Sequence, residues 1–452
     1  MTSTIELPIW LFILILLFAA VTAASHLLFP SVRWFFRRRM EKAVSRLNER
    51  LERPIEPFKL LRRHDMIQRI VYSPDVSQAI ADHAKEEGIP ENVAFEQAKR
   101  YAREIVPSFS ASTYFGFAIR AAKLLSRALY RVRLGYFDEA GIQNIPKDST
   151  VVFVMNHRSN MDYVLVTYLA AERSALAYAV GEWARVWPLS RLIKAMGAYF
   201  IRRQSRNALY RKVLARYVRL ATDGGVTQAM FPEGGLSVDG GLHPPKLGLL
   251  KYIVDGFDPA IRDVVFVPVA LNYDRVLEDR ILIAAQDKKR RRFRARISVI
   301  AGFLLKQLWL RLRGRYHRFG YAAVSFGEPL SLAAFAARQD GDVAEPLAEA
   351  LMARISDVVP ALPVPLVASI IDGAEAPLSR AAVENAFGER IAKLAPEHVH
   401  LPRGDVAYAA EVGLRSLEKR GAIRREAGCY SANPSEGALL TYYARSIGHL
   451  FP

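Results

Sequence analysis

A histidine and an aspartate stand five positions apart, at 157 and 162, in the segment VVFVMNHRSNMDYVLV over residues 151–166. An imidazole with one ring nitrogen held by a carboxylate can take a proton through the other, which is what a general base requires. The flanking sequence supplies elements able to hold such a pair. Residues 151–155 form a β-branched and apolar run that predicts a short buried strand, and the polar turn 156–160 ends it. From Met161 the apolar residues Val164, Leu165, Tyr168 and Leu169 recur at helical spacing, so Asp162 falls in a first helical turn, near the positive end of the dipole. The plainer alternative is a polar loop in which both side chains merely cap a helix.

Three later segments favour chemistry over capping, because each adds a suitable residue type in order. GAYFIRR, 197–203, reads as a buried strand ending in Arg202 and Arg203, two guanidinium groups suited to an acidic or phosphorylated ligand. MFPEGGLSVDG, 230–240, reads as a strand opening into a glycine-rich loop. Glu233 stands at the edge of that loop, and Gly234 and Gly235 let backbone amides approach a substrate. VFVPVALNYDRV, 265–276, is a further apolar strand interrupted by Pro268.

With these residues in hand, the chain resembles the glycerolipid acyltransferase superfamily, whose four ordered blocks match NHRSNMD, GAYFIRR, FPEGG and VPVALNYDRV. It is most similar to the long bacterial and mitochondrial glycerol-3-phosphate acyltransferases. That narrower likeness rests on GGLHPPKLGLL (240–250), FGEPLSL (326–332), LPVPLVA (362–368) and LLTYYARSIGHLF (439–451), and it covers most of residues 60–452. The resemblance implies an α/β fold, a central sheet flanked by helices with helical N- and C-terminal regions. It implies transfer of a fatty acyl group from acyl-CoA or acyl carrier protein to the sn-1 hydroxyl of glycerol 3-phosphate, giving lysophosphatidate, with no metal and no cofactor. His157 would be the general base and Asp162 its orienting carboxylate. Arg158, Arg202, Arg203 and Lys246 are the candidates to hold the acceptor phosphate. Glu233 would receive a glycerol hydroxyl or position a cation, and Pro268 and its neighbours resemble the block that shapes the acyl-donor site. Backbone amides of residues 158–160, or of Gly234 and Gly235, are the candidates for the oxyanion. One departure stands out: Leu236 and Val238 occupy positions where that family usually has arginines. Ser159 and Ser237 lie outside any GxSxG elbow, so direct transfer is expected rather than an acyl-serine.

Composition sets the surroundings of this chemistry. The 452 residues carry 63 Lys plus Arg against 45 Asp plus Glu, a net charge of +18, which favours an anionic phospholipid membrane as partner. Nucleic acid would exploit the same charge, but no recognition motif accompanies it and none is expected to bind. The single Cys429 excludes an internal disulfide. Residues 7–29 lack any Asp, Glu, Lys or Arg and predict a transmembrane anchor within 1–30, the competing reading being a signal peptide cleaved near residues 21–24; Arg33, Arg37, Arg38 and Arg39 follow at once with no Lys or Arg ahead of the run, which favours the anchor and is expected to leave the rest on the cytoplasmic side of the inner membrane. Residues 31–138 read as a helical region, with helices over 41–54 and 92–106 and a basic amphipathic one over 114–134 that either lies in the membrane interface or packs as an ordinary amphipathic helix on the core. Seven Lys or Arg crowd residues 288–296 ahead of an apolar, Trp-containing stretch, a second candidate for membrane contact. The acyltransferase domain is expected over 139–330 and a mainly helical region over 331–452, with helix, turn and helix punctuation over 407–451 serving packing.

Overall fold

The computed structural model describes residues 8–19, 44–51, 53–170, 175–181, 189–202, 205, 207–286 and 318–451, with single residues at 38, 42, 309 and 313. The chain divides into two units, Met1–Ile55 and Glu56–Pro452. In the first, residues 9–19 are helical and expose Trp10, Phe12, Leu17 and Phe18. The remainder of the expected anchor, from residue 20, lies outside the described residues, as do residues 288–296. Among the described residues no helix is long and apolar enough to cross a membrane.

The second unit is built on an eight-stranded sheet. Its strands are β1 (Arg131–Phe137), β2 (Thr150–Met155), β3 (Ala177–Gly181), β4 (Tyr199–Ile201), β5 (Gln228–Met230), β6 (Val264–Tyr273), β7 (Tyr321–Phe326) and β8 (Leu330–Ser331). They lie in the order β1-β7-β6-β2-β5-β3-β4, with β8 beside β6. β2 is central and parallel to both neighbours: Val154 faces Met230 of β5 and Pro268 of β6. Its six residues are all buried, as a strand covered on both faces demands, and this is why TVVFVM carries no polar alternation. Helices Met161–Leu169, Ala208–Asp223 and Gly248–Asp255 belong to the crossovers that join the parallel strands. After β2 the chain crosses toward β3, and after β6 toward β7, in opposite directions along the sheet. That divergence leaves a crevice at the carboxyl ends of β2 and β6.

Pro268 survives within a central strand because it sits where β6 changes partner. Val265 and Phe266 pair with β8, Val269 onward pairs antiparallel with β7, and the residue between needs no amide on that side. Its carbonyl still accepts from Gly327 N at 2.8 Å. Of the expected N-terminal helices, that over 92–106 is present as Glu91–Ile105, while of 41–54 residues 44–48 are helical and 53–54 are not; the region also holds helices Arg63–Val71 and Pro74–Glu87. The basic helix, however, ends at Leu129, and Arg131–Phe137 is the sheet strand β1, so the sheet begins before residue 139. Tyr130, buried and donating to Arg275 O at 2.9 Å, makes the break, and the alternation Val132, Leu134, Tyr136 then suits a strand paired in parallel with β7. The C-terminal region packs with the sheet as part of one unit. Beyond helices Pro363–Asp372, Val406–Lys419 and Gly437–Arg445, it contains a second, three-stranded sheet of β9 (Leu378–Ser379), β10 (Ile423–Glu426) and β11 (Cys429–Ala432). Where a turn was expected between helices, residues 423–432 form an antiparallel hairpin.

Candidate active site

The carboxyl end of β2 delivers the chain into the crevice, and Asn156 anchors it there. Its side chain accepts from Leu271 N (2.8 Å) and donates to Leu271 O (3.0 Å), stitching the loop to β6. His157 follows, only 1% exposed, its ring stacked on Phe231 with centroids 3.9 Å apart and its edge toward Tyr163. Nδ1 lies 2.9 Å from Asp162 Oδ2. Nε2 has no hydrogen-bond partner among the described residues, nor is it an enclosed atom. A hydroxyl entering the crevice therefore finds one free imidazole nitrogen, with the other fixed.

Asp162 does more than hold the ring. Oδ2 also accepts from the amides of Arg158 (2.8 Å) and Ser159 (3.0 Å), so the carboxylate folds the loop back over the first turn of its own helix. Oδ1 accepts from the Tyr273 hydroxyl at the end of β6. Burial, reinforced by the Asp162 charge, pushes the Tyr273 phenol well above its usual range and keeps it a neutral donor. Glu278 continues the brace. It accepts from Ser159 Oγ at 2.7 Å and from the backbone and side-chain nitrogens of Asn160 at 3.2 and 3.0 Å. Burial raises its carboxyl pKa, and the hydrogen bonds from Ser159 and Asn160 oppose that rise. Glu278→Gln retains only one acceptor oxygen for these donors and should lower kcat about tenfold with little change in KM, since a charge-assisted bond contributes about 1.5–3 kcal/mol. Steady-state kinetics on purified protein checks this, and an unaltered kcat would mean that Asp162 alone sets the loop.

The glycine-rich loop closes the other side. Glu233 spans from it to the catalytic loop, taking His157 N on Oε1 (2.8 Å) and His243 N on Oε2 (3.1 Å). Burial raises its pKa, against the pull of these amides and of Arg158. The expected role for Glu233, contact with a glycerol hydroxyl or a cationic side chain, is replaced by clamping of backbone. Ser237 N donates to His157 O at 2.9 Å, which completes the loop's attachment. Gly234 adopts φ +67°, and an added Cβ would come within 2.8 Å of Lys246 Cδ and 3.6 Å of its Nζ. The loop thus needs a glycine there, and Lys246, exposed and with no ion pair among the described residues, is brought alongside it.

The remaining expected site residues fall elsewhere. The amides of residues 158–160 are consumed by Asp162 and Glu278, and Gly234 N by Phe231 O, so of the expected oxyanion donors Gly235 N is left with no acceptor among the described residues. Arg158 turns away into the protein, 2% exposed, with Nη2 donating to Ser446 O at 2.8 Å; it ties the loop to the C-terminal segment. Arg202 stands on the same sheet edge but three strands from β2, about 14 Å at ordinary strand spacing. Its guanidinium grips both oxygens of Glu104 at 2.8 and 2.6 Å between the rings of Tyr101 and Tyr210, so it is already neutralised. Arg203 lies outside the described residues. Leu236 and Val238 pack against the hydrophobic core, as apolar side chains should where arginines would have faced solvent. Tyr273, Glu278 and Ser446 were not singled out from the sequence, although Tyr273 stands inside the quoted fourth block and Glu278 two residues beyond it.

Two family models match this architecture: Acyltransferase over residues 137–272, which holds every loop just described up to β6, and the glycerol-3-phosphate acyltransferase C-terminal region over residues 305–452. The glycerol-3-phosphate acyltransferase of Pseudomonas putida is 27% identical over 420 residues, covering 86% of this chain and 49% of that protein. Those of Pseudomonas fluorescens and Ectopseudomonas mendocina are 27% and 29% identical, covering 91% and 86% of this chain and 51% and 49% of theirs. The chain thus spans about half the length of the curated relatives it matches. The crystal structure of the 1-acyl-sn-glycerophosphate (LPA) acyltransferase from Thermotoga maritima is 21% identical, covers 54% of this chain and 80% of its own, and superposes with a TM-score of 0.31.

Proposed function

Since the chain belongs to the glycerol-3-phosphate acyltransferase family of the glycerolipid acyltransferase superfamily, we propose that it moves a fatty acyl group from a thioester donor to the sn-1 hydroxyl of glycerol 3-phosphate. The observation that carries this reading is the His157–Asp162 pair with Nε2 left open to the crevice. The acceptor hydroxyl gives its proton to Nε2 as its oxygen forms a bond to the thioester carbonyl carbon. The tetrahedral oxyanion gains the Gly235 amide. Collapse breaks the carbon–sulfur bond, and the thiolate leaves with the proton returned by the imidazolium, which Asp162 stabilises meanwhile. Nothing in these steps calls for a metal or an organic cofactor. A serine intermediate is disfavoured because Ser159 Oγ donates to Glu278 and Ser237 Oγ to Gly241 O.

Lys246 is the cation to which phosphate binding falls, being exposed, without an ion pair among the described residues, and beside the glycine loop. Lys246→Ala should raise the KM for glycerol 3-phosphate about tenfold and leave kcat within a few-fold, from the loss of one charge-assisted contact. An unchanged KM would shift the role to Arg203. The same reading places the chain at the inner membrane with its catalytic unit on the cytoplasmic side. The uncharged run of residues 7–29 followed by four arginines supports it.

The deciding assay offers purified protein acyl-CoA or acyl carrier protein as donor and glycerol 3-phosphate, lysophosphatidate or dihydroxyacetone phosphate as acceptor. Lysophosphatidate made from glycerol 3-phosphate is the expected product. Product from another acceptor alone would reassign the substrate to fit Leu236 and Val238, and no transfer with any pair would leave a lipid-binding scaffold.

A further inference from the structure

A recess of about 620 Å3 lies away from the imidazole but on the same edge of the sheet. β1 and β7 run antiparallel to β6, and β6 runs parallel to β2, so the amino ends of β1 and β7 share an edge with the carboxyl end of β2. Arg131 and Tyr321 begin those two strands and wall the recess together with Arg127, Arg318, Arg415 and Lys419. No aspartate or glutamate among the described residues lines it. Among the described residues none of these five cations pairs with a carboxylate, in contrast to Arg202 with Glu104, Arg420 with Asp279 and Arg380 with Glu384. Arg127 and Arg131 are instead oriented by tyrosine hydroxyls, those of Tyr168 and Tyr321. Arg131 also feels the buried Asp274 carboxyl, so four cations with no carboxylate partner among the described residues are left around one depression, a concentration of like charge that an anion relieves.

What kind of anion follows from the neighbouring surface. Phe117 and Leu124 are 57% and 70% exposed, and with Arg120 and Arg127 they recur at intervals of three, four and three residues, on one face of the helical segment that flanks the recess. A soluble polyanion would neutralise the cations and leave both apolar side chains in water; an anionic bilayer covers both kinds of group. We propose that this face docks on an anionic phospholipid bilayer. Arg127, Arg131, Arg318, Arg415 and Lys419 take lipid phosphates, Phe117 and Leu124 enter the interface, and the crevice at His157 opens along the membrane surface. The docking is separate from acyl transfer and is read without turnover.

The test uses the full chain with Cys429→Ser and Leu124→Cys, labelled at position 124 with bimane, mixed with vesicles of phosphatidylglycerol and phosphatidylcholine or of phosphatidylcholine alone. Reporting at position 124 separates this contact from any insertion by residues 7–29. Emission should shift to the blue on the anionic vesicles only. The variant R318Q/R415Q/K419Q, whose changed side chains bond to nothing among the described residues, should weaken the lipid concentration dependence about a hundredfold. No shift on anionic vesicles, an equal shift on neutral ones, or an unchanged response in the triple variant would overturn the proposal. Quenching of the shift by free CoA or acyl carrier protein at low concentration would overturn it too, by giving the recess to a soluble donor.

Discussion

His157→Ala should lose acyl transfer by about two to four orders of magnitude while keeping its fold and its attachment to vesicles. The imidazole supplies a nitrogen open to an entering hydroxyl, and among the described residues the nearby carboxylates are engaged: Glu233 and Glu278 have both oxygens turned to loop donors, and Asp162 faces the ring itself. The truncation also removes the ring stacked on Phe231, which at about 1–2 kcal/mol lowers the melting temperature without unfolding the domain. Turnover numbers, circular dichroism and a melting curve on one preparation separate the two effects. A variant that keeps near-normal turnover would remove His157 from the chemistry altogether.

Asp162→Asn should approach the same loss by a different route. Its Oδ2 collects three donors, from the His157 ring and the amides of Arg158 and Ser159, and Oδ1 collects Tyr273. An amide can turn its oxygen to only one of these sides, so the most economical arrangement keeps the oxygen on the loop and sets NH2 toward the phenol. The geometry then largely survives, but the charge that stabilises an imidazolium is gone. A triad in which the same replacement leaves geometry intact loses about 10^4 in kcat, and a fall of two to four orders is expected here. The KM values should move little, because neither substrate is placed on Asp162. A loss confined to KM, with kcat preserved, would show that the carboxylate serves binding and not proton transfer.

The four blocks were readable as strand, turn and helix because their side-chain periods are local properties. The unbroken burial of β2 and the helical recurrence after Met161 are written within a few residues of where they act. Partnerships are not local, and the misreadings follow from that. Arg202 ends a strand as a phosphate-binding arginine would, yet Glu104, 98 residues earlier, already holds it. Glu233 has the composition of a substrate contact and the neighbours of a clamp. The amides of residues 158–160 looked available until Asp162 and Glu278 were seen to take them. Tyr273 and Asp162 are 111 positions apart and meet only because β6 lies beside β2. Likewise the arginine-rich alternation of β1 reads as a basic helix until β7 is placed against it.

The bond from Arg158 to the carbonyl of Ser446 closes a loop of 288 residues, and Gly240 is pressed so closely to Tyr442 that a Cβ there would meet the tyrosine carbonyl. The catalytic loop is therefore braced by residues synthesised long after it. A ribosome adding about 5–20 residues each second needs on the order of half a minute, after making Arg158, to supply that brace. During this interval the nascent chain can hold its first sheet strands and its histidine, but not the finished site. Competence for chemistry is thus tied to synthesis of this distant brace, and a chain arrested shortly before Ser446 would lack it.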